Sequence, residues 1–553
     1  MTTAADSERS THDVVIMGGG LAGLTLALQL RQRNAALDVL VLERRAHPVP
    51  LAAHKVGEST VEIGAHYFAD VLGLRDHLEQ SQLRKFGFRF FFSEGHSDIA
   101  AVTELGTSRP LPAGSWQIDR GVFENFLGQE VQRRGIAFTD NAVVRELTLA
   151  PLTDRDALHT VRWQQPGQAP RTAQARWVID ACGRAGLIKK KLGLARDNAH
   201  PAHAVWFRLR GRIAVDEWSA DPAWRARCET PTRWLSTNHL VGAGYWVWLI
   251  PLSSGSHSVG IVADPRWHAL EKMNTFERAM DWLQAFQPRL FADLDARRDQ
   301  LQDFAFFKRF SYDCAQVFSA QRWALAGEAG RFLDPFYSPG SDFIAIGNTY
   351  ITELVTRDHG GQSISAHVKI YEQIFRAFHD NTMALYLDQY GLFGDPEVLP
   401  VKVFWDYTYY WGVLATLFFH GGVTDLLALG VLRDEIGALQ PLNVAVQTFV
   451  RQMSAHSAKR NARVLLDQAS LPWFVALNRS LLDAPGTLPF KQRLQGSARR
   501  LRQLATEILD RAEQQYPRLD GTELRSAIER AGGPIRLGER LLFPPLAADP
   551  ATG

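Results

Sequence analysis

Cysteine is scarce in this chain: 553 residues carry three, Cys182, Cys228 and Cys314, widely spaced and without a CxxC pair. That excludes a disulfide framework and a cysteine-built zinc site, and makes a reducing cytoplasm the expected setting. An excess of charge is also missing, since 61 Lys+Arg stand against 59 Asp+Glu for a formal net charge of +2. A surface that tracks nucleic-acid phosphates needs a marked basic excess, so no nucleic-acid partner is expected. The opening MTTAADSERSTHD is polar and lacks the apolar stretch of a signal peptide. The most apolar tract, around Tyr409 to Phe419, lies between Asp406 and His420. A bilayer span needs about 20 apolar residues, so a buried helix is expected there and no membrane span. His257 and His420 have no partner at ligand spacing, and no metal is assigned. With 46% hydrophobic and 22% charged residues, a large globular protein remains, of roughly two to four domains.

What the chain does contain begins at Asp13. Asp13 to Met17 is an apolar run of strand length, Gly18-Gly19-Gly20-Leu21-Ala22-Gly23 follows, and Leu21 to Leu30 reads as a helix on a sheet. Asp38 to Leu42 is a second strand, ending at Glu43. Gly18, Gly20 and Gly23 allow the tight turn and the close approach of backbone N–H groups to a pyrophosphate at a helix N-terminus. Glu43, twenty residues past Gly23, is placed to accept from ribose hydroxyls and would repel a 2′-phosphate. This context makes a dinucleotide site, and leaves FAD and NAD both open.

Further along, Phe86, Phe88, Phe90 and Phe92 alternate, which predicts one strand with Lys85, Gly87 and Arg89 on its opposite face. Tyr245 to Pro251 is another strand, with Trp246 and Trp248 on one face. Residues 198–290 are rich in aromatics and β-formers and predict a second sheet. From about Asn381 the pattern turns helical, with Pro400, Pro472 and Pro485 as breakers. Lys491 to Gln515 places Leu494, Ala498, Leu501 and Ile508 at helical spacing.

Several segments carry a resemblance. Trp116-Gln117-Ile118-Asp119-Arg120 and Ala326-Gly327-Glu328-Ala329-Gly330 resemble elements of the FAD-dependent monooxygenase and halogenase superfamily. The first implies an arginine, Arg120, near the flavin; the second implies a ribityl-binding carboxylate, with Glu328 where Asp is usual. Lys55-Val56-Gly57-Glu58-Ser59-Thr60 resembles the GES element of flavin-dependent halogenases, which packs near the isoalloxazine. Trp246-Val247-Trp248-Leu249-Ile250-Pro251 is similar to their WxWxIP signature. Phe332-Leu333-Asp334-Pro335-Phe336-Tyr337-Ser338-Pro339-Gly340 is similar to their FxxPxxSxG pattern. The likeness spans about residues 12–350 and looks most like the branch acting on pyrroles and phenols.

The resemblance implies an α/β fold: a Rossmann-type FAD-binding core of the aromatic-hydroxylase kind, an inserted antiparallel sheet, and a mainly helical C-terminal region. The core would cover residues 1–385, with the substrate-side sheet at about 85–120 and 198–290, and the helical region 386–553. The cofactor would be FAD, supplied reduced by a separate flavin reductase. The flavin would be held by Gly18, Gly20, Ala22, Gly23, Glu43, Arg44, Lys55, Gly57, Glu58, Ser59, Arg120, Gly327, Glu328, Pro335 and Gly340. Reduced FAD and oxygen would convert a halide ion into a hypohalous species. Lys85 matches the family's active-site lysine, with Lys55 the competing candidate. A buried ammonium can capture or hydrogen-bond that species, and desolvation makes it lose its proton more readily. Trp246 and Trp248 would separate flavin from substrate.

One departure stands out. Amide groups of the two residues after Ser338 would bind the halide, but the first is Pro339, which has no N–H. Losing one of two donors to a desolvated anion costs about 1.5–3 kcal/mol, about tenfold to hundredfold in affinity. Tyr337 stands where tryptophan halogenases carry glutamate, which argues against tryptophan as substrate. Asp180-Ala181-Cys182-Gly183 interrupts the DG element of hydroxylases that reduce their own flavin. The expected activity is halogenation of an electron-rich aromatic or pyrrolic small molecule of secondary metabolism, free or carrier-bound. A hydroxylase or desaturase that has lost its halide site is the alternative, and a flavoprotein maturing a protein substrate a third. The aromatics of 404–419 serve the core or roof a pocket. The arginines of 493–502 form a solvated face or receive an acidic carrier protein.

Overall fold

The computed structural model describes residues 9–546 apart from 155, 432, 485–488 and 537. Most of the polar N-terminal stretch and the expected breaker Pro485 lie outside those residues. Strand Arg9–Met17 leads through the glycine turn into helix Leu21–Arg33 and strand Val39–Leu42, as the sequence predicts. The first strand pairs in parallel with Val39–Leu42 on one side and with Arg171–Asp180 on the other. Ala137–Thr139 and Trp323–Leu325 extend the parallel sheet at its two flanks. Its central strands are buried on both faces, which is why Val14, Val15, Ile16 and Met17 form an unbroken apolar run.

A second eight-stranded sheet runs Leu301–Phe307, His203–Arg210, Ser256–Ala263, Tyr245–Pro251, Thr237–Gly242, Phe88–Phe91, Glu104–Gly106, Leu465–Asp467. It departs from the expected antiparallel sheet in two pairings. Phe88–Phe91 runs parallel to Thr237–Gly242, and Leu465–Asp467 runs parallel to Glu104–Gly106. The last strand comes from the region expected to be helical. Alternation decides the faces of this sheet. Trp246 and Trp248 join the main core, whereas Val247 and Leu249 join a second core under helices Phe276–Phe286 and Pro288–Asp295.

The phenylalanine run does not make one strand. Leu83–Lys85 pairs with Ser115–Gln117 in a separate ladder, and the sheet strand begins at Phe88. Gly87 between them has φ +73°, a left-handed turn that glycine adopts without cost and that ends a strand. Arg89 is therefore not a neighbour of Lys85; it is buried against Glu104.

The C-terminal half is helical except for the short strand at 465–467. Leu399–Tyr409 continues through a π-turn at Tyr410–Ala415 into Thr416–Phe419, one long buried rod where the apolar tract predicts it. Phe490–Gln515 buries Leu494, Leu501 and Ile508. No helix among the described residues is long and apolar enough to cross a membrane.

Candidate active site

The glycine turn has the geometry of an anion cradle. Gly18 sits at φ +114°, where a Cβ would lie 2.3 Å from Ala181 O, and a Cβ on Gly23 would lie 1.9 Å from Gly18 O. Gly20 is different: a side chain there would meet only Lys55 Nζ, at 3.0 Å, and the Glu124 carboxylate, at 3.9 Å. Helix Leu21–Arg33 starts with no side-chain cap, so its first N–H groups are free for an anion. Glu43 closes the neighbouring strand; its carboxylate accepts from Gly19 N at 2.7 Å and Arg45 N at 2.9 Å. Arg44 beside it is exposed. Gly327, at φ +56°, packs against Ala22, a Cβ there lying 3.1 Å from Ala22 Cβ, which brings Glu328 to the same rim. Among the described residues, no group of His, Cys, Asp or Glu is placed to hold a metal ion.

Lys55 and Arg120 share a partner. Glu124 is buried and receives Arg120, His54 Nε2 at 3.0 Å and Lys55 Nζ at 3.3 Å. Burial alone would raise Glu124, but the charge of Arg120 and the His54 hydrogen bond hold it far below the usual carboxylate range. Arg120 also donates to Val56 O at 2.7 Å, next to Gly57, whose φ is +91°. Two cations and an uncapped helix end thus meet where a pyrophosphate would lie. The residues present fit a dinucleotide.

The next segment turns inward. Glu58 does not face this cradle: it is buried, and its Oε1 accepts from Arg208 Nε at 2.8 Å and Nη2 at 2.6 Å. Ser59 Oγ lies 3.0 Å from Thr237 Oγ1 and accepts from Lys85 Nζ at 3.0 Å. Lys85 Nζ also donates to Thr60 O at 2.9 Å and lies 3.5 Å from the centre of the Phe88 ring. Only 5% of this lysine is exposed. Burial pushes it down to about 7, against the charges of Glu62 and Asp342.

Those two carboxylates carry no signal in the sequence and are brought in by folding. Asp342, in helix Gly340–His359, accepts from Gly64 N and from Tyr410 OH, each at 2.8 Å. Burial pushes it up to about 8. Glu62 is buried and likewise raised. A parallel pair lies close by, where Tyr337 OH donates to Asp406 Oδ2 at 2.8 Å, as does the buried Lys402 Nζ, also at 2.8 Å. Tyr410 lies in the π-turn, an irregularity common at functional sites.

Tyr337 and Ser338 have φ of +66° and +54°, left-handed positions that non-glycine residues rarely hold. This kink hands the chain from Pro335 to the helix that starts at Gly340. The amides of Asp342 and Phe343 fold back onto Pro339 O at 3.1 Å; those of Gly340 and Ser341 have no acceptor within the helix.

Trp246 and Trp248 stand side by side, 5.7 Å between ring centres. Trp246 Nε1 donates to Tyr390 OH at 3.1 Å. Tyr390 donates to Asp334 at 2.6 Å, and His200 holds the same carboxylate oxygen at 2.6 Å. Trp248 donates to Ser258 Oγ at 3.1 Å. Both indoles are thus locked in place.

Beside Phe88 a cavity of about 540 Å³ opens, with Val61, Tyr337, Pro339 and Asp342 in its wall. Tyr407, Tyr409 and Tyr410 line it too, so part of the aromatic helical run roofs a pocket. Trp405 and Trp411 are core residues. Lys85 lies behind Phe88 rather than in the wall itself.

With this geometry in view, the relatives are informative. Residues 16–80 match the NAD(P)-binding Rossmann-like domain family. A flavin-dependent halogenase, chlA of Dictyostelium discoideum, is 24% identical over 431 residues, 73% of this chain and 70% of that protein. The 1H-pyrrole-2-carbonyl-[peptidyl-carrier protein] brominase of Pseudoalteromonas luteoviolacea is 24% identical, over 67% of this chain and 88% of that one. Flavin-dependent halogenases are its homologues. The solved flavin-dependent halogenase CmlS superposes with a TM-score of 0.55 at 25% identity, covering 69% of this chain and 64% of that one. The FAD complex of a PltM halogenase variant shares the fold over 94% of this chain and 98% of its own, with a TM-score of 0.64 at 16% identity. The C-terminal helices of this halogenase homologue are therefore part of a shared architecture rather than an appendage.

Proposed function

We propose that this chain is an FAD-dependent halogenase acting on an electron-rich aromatic or pyrrolic small molecule, with chloride or bromide as co-substrate. The observation that carries the reading is Lys85: buried, pushed down to about 7 by that burial, and held by Ser59 and Thr60 behind the wall of an apolar cavity. When bound in its reduced form, the flavin supplies with oxygen the oxidising equivalent that halide needs. Gly18, Gly20, Ala22, Gly23 and Lys55 bind its pyrophosphate, with Glu43 and Arg44 on the ribose side and Gly57, Arg120, Gly327, Glu328 and Pro335 along its length.

The remaining steps belong to side chains. The kink at Ser338 and Pro339 presents the free amide of Gly340 to the halide. The neutral amine of Lys85 takes the halogen from the hypohalous acid with release of water, and on passing it to the ring regains the proton that the ring loses. Trp246 and Trp248 keep the halogen from bulk water and from the flavin side. Asp342, kept protonated up to about pH 8 by its burial, is not the base and stays hydrogen-bonded to Tyr410 in the cavity wall. A separate flavin reductase supplies the reduced cofactor.

Pro339 favours one other reading, an FAD-dependent monooxygenase without a halide site. Mixing the enzyme loaded with reduced FAD with oxygen, with and without millimolar bromide or chloride, separates the two. Halogenation requires that halide lower the hydrogen peroxide yield and appear in an oxidised-halogen trap. Peroxide output indifferent to halide selects the monooxygenase.

A further inference from the structure

The cavity is polar at one end and aliphatic at the other, and three helices agree on the direction. Along the rod 399–419 the wall residues run Tyr407, Tyr410, Leu414, Leu417, a stripe of about 15 Å at 1.5 Å per residue. Along helix Ser365–Met383 and the turn after it they run, from the Tyr337 side outward, Tyr386, Thr382, Phe378, Ala377, Ile374, Ile370. Tyr386 OH is anchored on Phe336 O at 2.9 Å, which fixes that end beside Tyr337. The third wall runs from Gln440 through Ile436 to Leu429 and Leu426. Gln447, two turns beyond Gln440, donates to Asp406 at 2.7 Å, so this wall too is polar nearest the site. Of the polar side chains in the far half, Gln373 and Arg433 are exposed at the rim.

A cavity of about 540 Å³ is of the size that encloses a drug-like molecule; a bare phenol or pyrrole would leave most of it empty. The polar end offers two buried Tyr–Asp pairs, Tyr410–Asp342 and Tyr337–Asp406, suited to ring hydroxyls. The far end offers aliphatic side chains and, among the described residues, no buried polar partner for an amide. The geometry points to a hydroxylated aromatic ring bearing a long aliphatic chain as the substrate class. The ring lies against Phe88 and Asp342, and the chain lies between Ala377, Leu417 and Leu429. The assignment rests on the halogenase reading of the site, because it takes the Lys85 end as the reacting end. A pantetheine-linked pyrrole is the competing occupant; its amide-bearing arm would find a buried acceptor at Asn381, near the Tyr386 end, but only apolar side chains and exposed rim groups beyond it.

The test is binding, read without turnover on the full-length, FAD-loaded protein by calorimetry. The probes are phenol, 4-propylphenol, 4-hexylphenol and the pantetheine thioester of pyrrole-2-carboxylic acid. Affinity is expected to rise about fourfold per added methylene, with the thioester weaker than 4-hexylphenol. Ala377→Trp is expected to abolish the dependence on chain length while phenol and FAD still bind. If that variant does not fold, Leu429→Lys is expected to do the same from the rim. Affinity that is flat with chain length, or tightest for the thioester, overturns the assignment. Because halide oxidation is measured separately, a chain-length series without any halogenated product would sink the proposed reaction and leave the lipophilic site standing.

Discussion

The ammonium of Lys85 lies over the ring of Phe88, 3.5 Å from its centre, and that ring is part of the cavity wall. One aromatic side chain thus separates the lysine from the space where a substrate ring would sit. Lys85→Ala is expected to lower halogenated product by at least about a hundredfold, the usual scale for a positioned proton-transfer group. Hydrogen peroxide release should continue. Lys85→Arg should not rescue, since a guanidinium does not give up its proton. Product analysis alongside a peroxide assay checks both, and an active Arg variant would remove Lys85 from the chemistry.

On the halogenase reading, Pro339 would deprive the halide of an amide donor at a turn whose geometry another residue can adopt. Its φ of −73° and its place before the first residue of the helix suit Thr or Ser equally well. Pro339→Thr is therefore expected to improve the apparent halide affinity about tenfold to hundredfold, read as the halide dependence of the initial rate. An unchanged halide dependence would mean that the anion does not use this amide.

Asp342 sets a pH dependence whose sign follows from its burial. Its carboxyl is raised from 3.8 to about 8, so the folded protein binds a proton that the unfolded chain has lost between those values. Stability is fully present below about pH 4 on this account and falls as pH rises toward 8. Lys85 acts in the opposite sense: lowered from 10.5 to about 7, it costs stability progressively as pH falls from about 10.5 to 7 and no more below that. Asp342→Asn should flatten the loss of melting temperature between pH 4 and 8. A variant with the wild-type slope would show that Asp342 is ionised in the fold.

The sequence reveals the cofactor half of this site and hides much of the substrate half. Gly18, Gly20, Gly23 and Glu43 are legible because their spacing is imposed by one local βαβ unit. Lys85 and Ser59 are singled out separately through the family resemblance, and only the structure joins them. Glu62, Asp342 and the pair Asp406 and Tyr410 come from three separate helical segments, and each is an ordinary polar residue where it stands. Their meaning appears only where folding buries them together. The Phe86–Phe92 alternation misleads because Gly87 turns the chain, and a glycine inside a strand pattern is the available warning. Leu465–Asp467 is too short a strand for periodicity to reveal, and it is held by its pairing with Glu104–Gly106.

Glu58 gives the sharpest contrast between motif and structure. The resemblance makes it part of a flavin-contacting element, yet both partners of the Glu58–Arg208 ion pair are about 1% exposed. Burial pushes Glu58 up more strongly than Arg208 pulls it down, so this pair is held by geometry and not by a large net stabilisation. Removing the carboxylate still strands the guanidinium with Asp303 as its remaining charged partner, 2.6 Å away. Breaking such a pair costs about 3–5 kcal/mol. Glu58→Ala is accordingly expected to lower the melting temperature by several degrees, while the folded fraction keeps its FAD affinity in a fluorescence titration. Weakened FAD binding at an unchanged melting temperature would return Glu58 to the cofactor and make Arg208 its positioning residue.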